Sequence, residues 1–427
     1  MTLGWFAIVR LGLVQMALGA IVVLTTSTLN RLMVVELALP AVLPGMLVGL
    51  HYGIQITRPN WGFLSDKGGN RTRWILRGML ILAAGGILAA LGVVEMKSSY
   101  SLGLTLSVIA YALIGLGAGA SGTSVLALLA TATAPHRRAA AATITWLMMI
   151  FGIAMTAGVV GQLLDPYTPA VLIRVVSGVA LAALAITVLA TWRIERGVEA
   201  APEPDPVPFR EGLAEVWGEP RARLFTIFVF LSMTAYFMQE LILEPYAGLV
   251  FGFTPGESTT LSGIQNGGVF LGMLTVGIAA TALRFGCLRN WVIAGCLGSA
   301  ASLCVIAMLG GYALPQTLLP SVFALGFFNG TFAVAAIGSM MALAGEGREK
   351  REGTRMGLWG AAQAIAAGFG GLTGAAAADV MRTLTSDAPA FGAVFVFEAG
   401  LFLCAAFMAL RIMEGRSPRQ PELIAGE

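Results

Sequence analysis

Apolar residues run through this chain in stretches of about 20, separated by short breaks that carry charge, glycine or proline. Each stretch is long enough to cross a ~30 Å hydrocarbon layer as a helix. The pattern predicts twelve transmembrane helices, over roughly 11–34, 40–65, 73–94, 102–132, 139–162, 169–192, 222–245, 258–282, 288–310, 317–344, 354–379 and 389–412. Residues 3–10 (LGWFAIVR) read as a short interfacial lead-in, with Trp5 at the headgroup level. One break is longer than the rest. Between Arg193 and Arg223 the chain is rich in arginine and acidic residues and carries APEPDPVP, the composition of a polar linker. The expected organisation is therefore a six-helix bundle over 1–192, a linker over 193–221, a second bundle over 222–413 and a tail over 414–427.

Composition narrows the class. The chain is 57% hydrophobic and 11% charged, whereas a soluble domain carries about 25% charged residues. A water-soluble enzyme is excluded, and no nucleic-acid partner is expected. The first apolar run is too long for a signal-peptide core and no A-x-A-like site follows it, so no cleavable leader is expected. With the N-terminus inside, all but four of the 26 Lys and Arg residues (Arg31, Lys97, Arg174 and Arg382) fall on the inner side. That asymmetry predicts cytoplasmic N- and C-termini.

An ionisable group deep in a bilayer costs at least ~2.5–3.5 kcal/mol on insertion scales, so each one marks a candidate site. His51 lies about four turns from Asp66, ~22 Å at ~1.5 Å per residue, near mid-membrane. Its simpler reading is an interhelical hydrogen bond. The sharper one is a neutral imidazole ligating a metal such as the magnesium of a tetrapyrrole. Arg58, two turns further, is a snorkelling or cavity charge. Glu398 falls near the middle of the last helix, where a carboxyl is either protonated or paired and is a candidate for proton coupling. Asn329 and Gln363 read as interhelical hydrogen-bond partners.

Two further clusters occupy related positions in the two halves: Asn30, Arg31 and Glu36 at the end of the first span, and Gln239, Glu240, Glu244 and Tyr246 at the end of the seventh. Their charges are complementary, so Arg31 is expected to pair with a glutamate opposite, either as a latch or as a ligand contact. The four cysteines show no metal or redox spacing, and the glycine-rich runs in helices four and eleven read as close-packing surfaces. Two histidines build no hydrolytic triad and no phosphate-binding loop is present, so no enzymatic activity and no catalytic cofactor are expected.

The loop GFLSDKGGNR, Gly62 to Arg71, sets Asp66, Lys67, Gly69 and Arg71 at fixed spacing between the second and third spans. It resembles the loop at that place in the major facilitator superfamily, with Thr72 where a second basic residue is usual. The resemblance implies two pseudo-symmetric six-helix bundles that rock about a central cavity. It also implies that Asp66 caps the start of helix eleven near Gly353 and Thr354, holding one end shut. LRFGCLRNW, with Arg289, is a worn copy of this loop in the second half.

Five segments point to a narrower group: TLNRLMVVELALPAVLPG (28–45), RPNWGFLSDKGGNRTRW (58–74), MQELILEPYAG (238–248), FNGTFAVAAIGSMMALA (328–344) and GLWGAAQAIAAGFGGLTGAAAAD (357–379). They resemble the PucC/LhaA-type bacteriochlorophyll-delivery family of light-harvesting complex assembly proteins. The implied role is to handle bacteriochlorophyll, or a precursor, as antenna α and β polypeptides enter the inner membrane of a photosynthetic bacterium. The implied partners are lipids, pigment, those polypeptides and pigment-synthesis enzymes, with pigment as cargo; His51, from its depth in the span, is the candidate ligand for the pigment's magnesium. The competing readings are a proton-coupled secondary transporter using Glu398 or the glutamates near the ends of the spans, and a structural protein that binds antenna helices without pigment.

Overall fold

A computed structural model describes residues 3–57, 70–134, 137–195, 217–281, 283, 285–312, 315–345 and 352–412. The described chain is built from twelve helices: α1 (Trp5–Glu36), α2 (Val42–Ile54, continued by a 3-10 turn Gln55–Thr57), α3 (Arg71–Glu95), α4 (Tyr100–Ala132), α5 (Arg138–Leu163) and α6 (Pro169–Thr191) form the first half. The second half holds α7 (Pro220–Phe251), α8 (Pro255–Thr281), α9 (Leu288–Tyr312), α10 (Pro315–Gly345), α11 (Glu352–Leu384) and α12 (Asp387–Ile412). Eleven of them are long and apolar enough to span a membrane, and α2 is the shorter apolar twelfth. This is a multi-pass membrane protein.

Packing repeats from half to half. In the first, α1 packs on α5 and α6, α3 on α4 and α6, and α2 on α4; in the second, α7 packs on α11 and α12, α9 on α10 and α12, and α8 on α10. Each half buries its own core. One centres on Leu11, Met79, Tyr111 and Leu172, the other on Phe225, Phe332, Phe395 and Trp359. Two long seams join the halves, α5 on α8 and α2 on α11, and they exchange under the same pseudo-twofold relation. Outer faces present residues such as Leu189 and Phe407 to the surroundings, as lipid requires. The α3–α4 pair is glycine-packed: a Cβ on Gly78 would stand 2.4 Å from the Ser121 amide nitrogen.

Several boundaries differ from the periodicity. The lead-in at 3–10 is not separate, because α1 is helical from Trp5. It then passes through two π-turns, Leu24–Thr28 and Leu32–Glu36. A π-turn frees carbonyls from the regular ladder, and the Tyr111 hydroxyl donates to one of them, Thr25 O, at 2.8 Å. Helix α7 continues through Pro245 to Phe251, and α11 runs on to Leu384. Proline marks a probable helix end in water, but inside a protein bundle its lost hydrogen bond can be replaced by a neighbour.

The loop residues Gly62, Asp66, Lys67 and Gly69, together with Arg58, lie outside the described residues. Arg71 is described and opens α3. Its amide donates to Glu195 Oε1 at 2.9 Å and the Thr72 amide to Glu195 Oε2 at 3.1 Å, so a carboxylate from just beyond α6 caps the helix. The Arg71 guanidinium reaches α4, donating to Ala127 O at 2.7 Å and to the Thr131 hydroxyl.

Candidate functional site

Helices α1 and α7 cross at the end of the molecule opposite Leu3 and Ile412, hereafter the distal end. There the π-distorted part of α1 carries Thr25, Thr26, Ser27, Thr28, Asn30 and Arg31, all buried. Buried polar side chains need partners, and Ser27, Thr28, Asn30 and Arg31 find them across the boundary between the halves. The Ser27 hydroxyl donates to Glu244 Oε1 of α7. Thr28 and Thr259 of α8 share a hydroxyl contact at 3.2 Å. The Thr26 hydroxyl donates to Val22 O of its own helix at 3.5 Å, and Glu240 is half-buried on α7.

Asn30 uses a backbone acceptor that the sequence of α7 sets free. Pro245 has no amide hydrogen, so the carbonyl four residues earlier, Leu241 O, lacks its helical donor. Asn30 Nδ2 fills that place from the other half at 2.8 Å. The proline therefore creates a docking point where it would otherwise leave a defect.

Arg31 departs from its expected partner. Its Nη1 pairs with Glu36 Oε1 at 2.5 Å, within its own half, and its Nη2 donates to Phe253 O of the other half at 2.6 Å. The glutamate opposite, Glu244, is held by Ser27 instead. The geometric reason is the π-distortion, which turns Glu36 back beneath Arg31, while α7 ends in a left-handed Gly252 that exposes the following carbonyl. Beside this latch lies a distal cavity of about 630 Å³ lined by Glu36, Asp165, Pro166, Tyr167, Thr254 and Pro255. Burial and then the Glu36 carboxylate push the Tyr167 phenol above its ordinary pKa, with Arg31 opposing.

The other candidates lie elsewhere. His51 is only 2% exposed, its Nε2 is 2.9 Å from Gln55 Nε2, and its ring meets Tyr52 edge-on. Tyr52 in turn meets Phe237 of α7, so His51 stands one ring back from the boundary between the halves. Tyr246 belongs to the second half's core: its hydroxyl donates to Ile306 O at 2.7 Å and its ring touches Phe251, Phe391 and Phe395. Asn329 Oδ1 accepts from Ser299 at 2.7 Å in that core. Gln363 Nε2 contacts Met233 Sδ at 3.6 Å, and Gln239 is buried on α7. Glu398 is wholly buried, and neither carboxyl oxygen has a hydrogen-bond partner among the described residues.

Sequence reasoning passed over Ser27, Thr28 and Thr259, and also Asp165 and Asp379. The run TTST at 25–28 was a legible signal, since four consecutive hydroxyl residues within an apolar span are unusual cargo for lipid.

The profile of the PUCC protein family matches residues 28–417. The chain belongs to that family. It is 65% identical to the bacteriochlorophyll synthase 44.5 kDa chain of Rhodobacter capsulatus, with 100% of both chains covered. It is 29% identical to Protein PucC of Cereibacter sphaeroides, over 93% of this chain and 90% of that one. Among solved structures, a peptide transporter of the POT type in complex with alafosfalin matches with a TM-score of 0.71 at 16% identity, over 97% of this chain and 98% of the other. A bacterial homolog of the human lysosomal transporter Spinster matches with a TM-score of 0.69 at 13% identity, over 96% and 98%. At these identities the likeness concerns the fold, which is of the major facilitator type. In this PUCC-family chain, Asn30 and Arg31 and their partners Leu241 and Phe253 lie inside the matched region, and Ser27 lies one residue before it.

Proposed function

We propose that this protein is a light-harvesting complex assembly factor that handles or delivers bacteriochlorophyll, and that it is a carrier rather than a catalyst. The observation that carries the reading is membership of the PUCC protein family, joined to the name of the 65%-identical relative, which ties that protein to bacteriochlorophyll. The chain sits in the inner membrane of a photosynthetic bacterium with its termini in the cytoplasm, in keeping with the distribution of Lys and Arg. Its partners are lipid, the antenna α and β polypeptides and enzymes of pigment synthesis.

A major facilitator frame suits such cargo. A hydrophobic macrocycle with a long tail can enter sideways from lipid between two halves that separate, and needs few polar groups to orient it. His51 is the candidate for the cargo's magnesium. A neutral imidazole is the right donor, and Gln55 holds its Nε2 in the absence of cargo. Pigment would take that nitrogen from Gln55, and the edge contacts of Tyr52 and Phe237 would line its approach.

Purification in mild detergent followed by an absorption spectrum tests the reading. Bound bacteriochlorophyll is expected, and its loss in His51→Ala with the fold intact would place the axial ligand. A pigment-free protein that still brings down antenna polypeptides would favour the purely structural role. Proton-dependent solute uptake in proteoliposomes, lost in Glu398→Gln, would replace the carrier reading with ordinary secondary transport. Deletion of the gene is expected to lower antenna absorption; a strain lacking it with unchanged antenna would sink the proposal.

A further inference from the structure

Two aspartates at the distal end repeat one another across the pseudo-twofold relation. Asp165, just past the end of α5, reaches the amino end of α8: its Oδ2 accepts from the Thr254 hydroxyl at 2.7 Å and its Oδ1 from the Gly256 amide at 3.3 Å. Asp379, in the distal part of α11, reaches the amino end of α2: Oδ1 accepts from the Ala41 amide at 2.9 Å and Oδ2 from the Val42 amide at 2.7 Å. Helices α5 and α11 are the fifth of their halves, and α2 and α8 are the second. Each half thus lends a carboxylate from its fifth helix to the amino end of the other half's second helix.

The chemistry favours the contact in both places. First-turn amides have no acceptor in their own helix, and the helix dipole adds positive potential there. At α8 the helix also caps itself: Glu257 accepts from the Thr254 amide at 2.9 Å, and the Thr254 oxygen accepts from the Glu257 amide at 3.1 Å. That arrangement leaves the Thr254 hydroxyl hydrogen and the Gly256 amide for Asp165. Glycine at 256 admits both the carboxylate and the α5 backbone, because a Cβ there would lie 2.4 Å from Asp165 Oδ2 and 2.4 Å from Gly161 O. At the other site Arg382 is the neighbouring cation. Its Nε is committed to Asp387 Oδ1 at 2.7 Å and its Nη1 stands 3.8 Å from Asp379 Oδ1, so the α2 amides remain the nearer partners of Asp379.

We propose that Asp165 and Asp379 form a two-part clasp that keeps the distal end of the halves shut, and that the end opens only when both are released together. The two contacts close the two long seams, α5 on α8 and α2 on α11. If one lets go, the other still fixes its own seam, and the halves pivot without parting. This holds whatever the cargo is.

The test uses Val34→Cys in the full-length protein in membranes. Val34 is buried between Ala41, Ala375 and Leu249 where the halves meet, so it reports water entering the distal seam. Labelling by a water-soluble maleimide is read at each cysteine by mass spectrometry, with the native, fully buried Cys296 as the marker of intact fold. Asp165→Asn and Asp379→Asn singly are expected to raise the labelling rate at position 34 less than about threefold. Together they are expected to raise it about a hundredfold, the scale of two weakened charged hydrogen-bond contacts. A double variant that labels no faster than the product of the singles would overturn the clasp. So would labelling of Cys296 in step with position 34, because the aspartates would then be holding the fold and not a gate.

Discussion

Two sets of buried polar side chains in this protein are handled in opposite ways. At the α1–α7 crossing, Ser27, Asn30 and Arg31 each find a partner in the other half: Glu244, Leu241 O and Phe253 O. In the core of the second half, Glu398 is equally buried, yet its carboxyl has no hydrogen-bond partner among the described residues. Its neighbours in sequence on the same helix face, Phe395 and Phe402, pack on the aromatic rings of Tyr246 and Phe332. Polar groups at the boundary between halves hold a contact that a rocking motion must break and remake. A polar group inside one half moves with its surroundings and is poorly placed to sense the motion. Burial alone therefore does not distinguish a site from a core, whereas the location of the partner does.

The largest effect expected from disturbing this contrast is that of Arg31→Ala, which removes both the Glu36 pair and the bond to Phe253 O. A loss of about 2 kcal/mol is expected, below the range for a fully enclosed pair because the Glu36 side chain is 40% exposed. Thermal unfolding in detergent measures it, and pigment retention should fall in parallel. Pro245→Ala comes next. It gives α7 back an amide that competes with Asn30 for Leu241 O, so the distal end should loosen by about 1 kcal/mol even though α7 alone becomes a better helix. Hydrogen exchange at residues 241–249, faster on the α1-facing side despite the added helical bond, would register it; slower exchange throughout would mean Asn30 contributes nothing. Ser27→Ala should cost about 1 kcal/mol through the uncovered Glu244 oxygen, read by the same melt.

The smallest effect belongs to the core. Glu398→Gln preserves shape and should change stability by less than about 1 kcal/mol, while antenna assembly and pigment content stay as in the parent. Loss of antenna in that variant, with the protein still present at normal levels, would reverse the contrast and put the coupling group in the core.

Much of the architecture could be read from residue order. Twelve apolar runs, the charged break after helix six and the Gly62–Arg71 loop were enough for two six-helix halves of major facilitator type. The cluster around Asn30, Arg31, Glu240 and Glu244 was visible too, since charge in an apolar run stands out. Its wiring was not. Arg31 was expected opposite a glutamate because complementary charges sat at related positions, but charge complementarity does not carry the rotation that a π-turn introduces into α1. Asp165 and Asp379 passed unnoticed for a different reason. Each lies towards the carboxyl end of its own helix, where the dipole offers a carboxylate nothing, and the amides it binds are 91 and 338 residues away in the chain.

The order of residues therefore carried everything that follows from the cost of moving groups between water and hydrocarbon: the number of spans, their grouping and the short list of polar residues that need an explanation. Folding decided which of those residues meet. Partnership depends on helix phase, on carbonyls freed by Pro245 and by the π-turns, and on close approaches such as that of Asp165 to Gly256. These are properties of two surfaces brought together, and neither surface alone contains them.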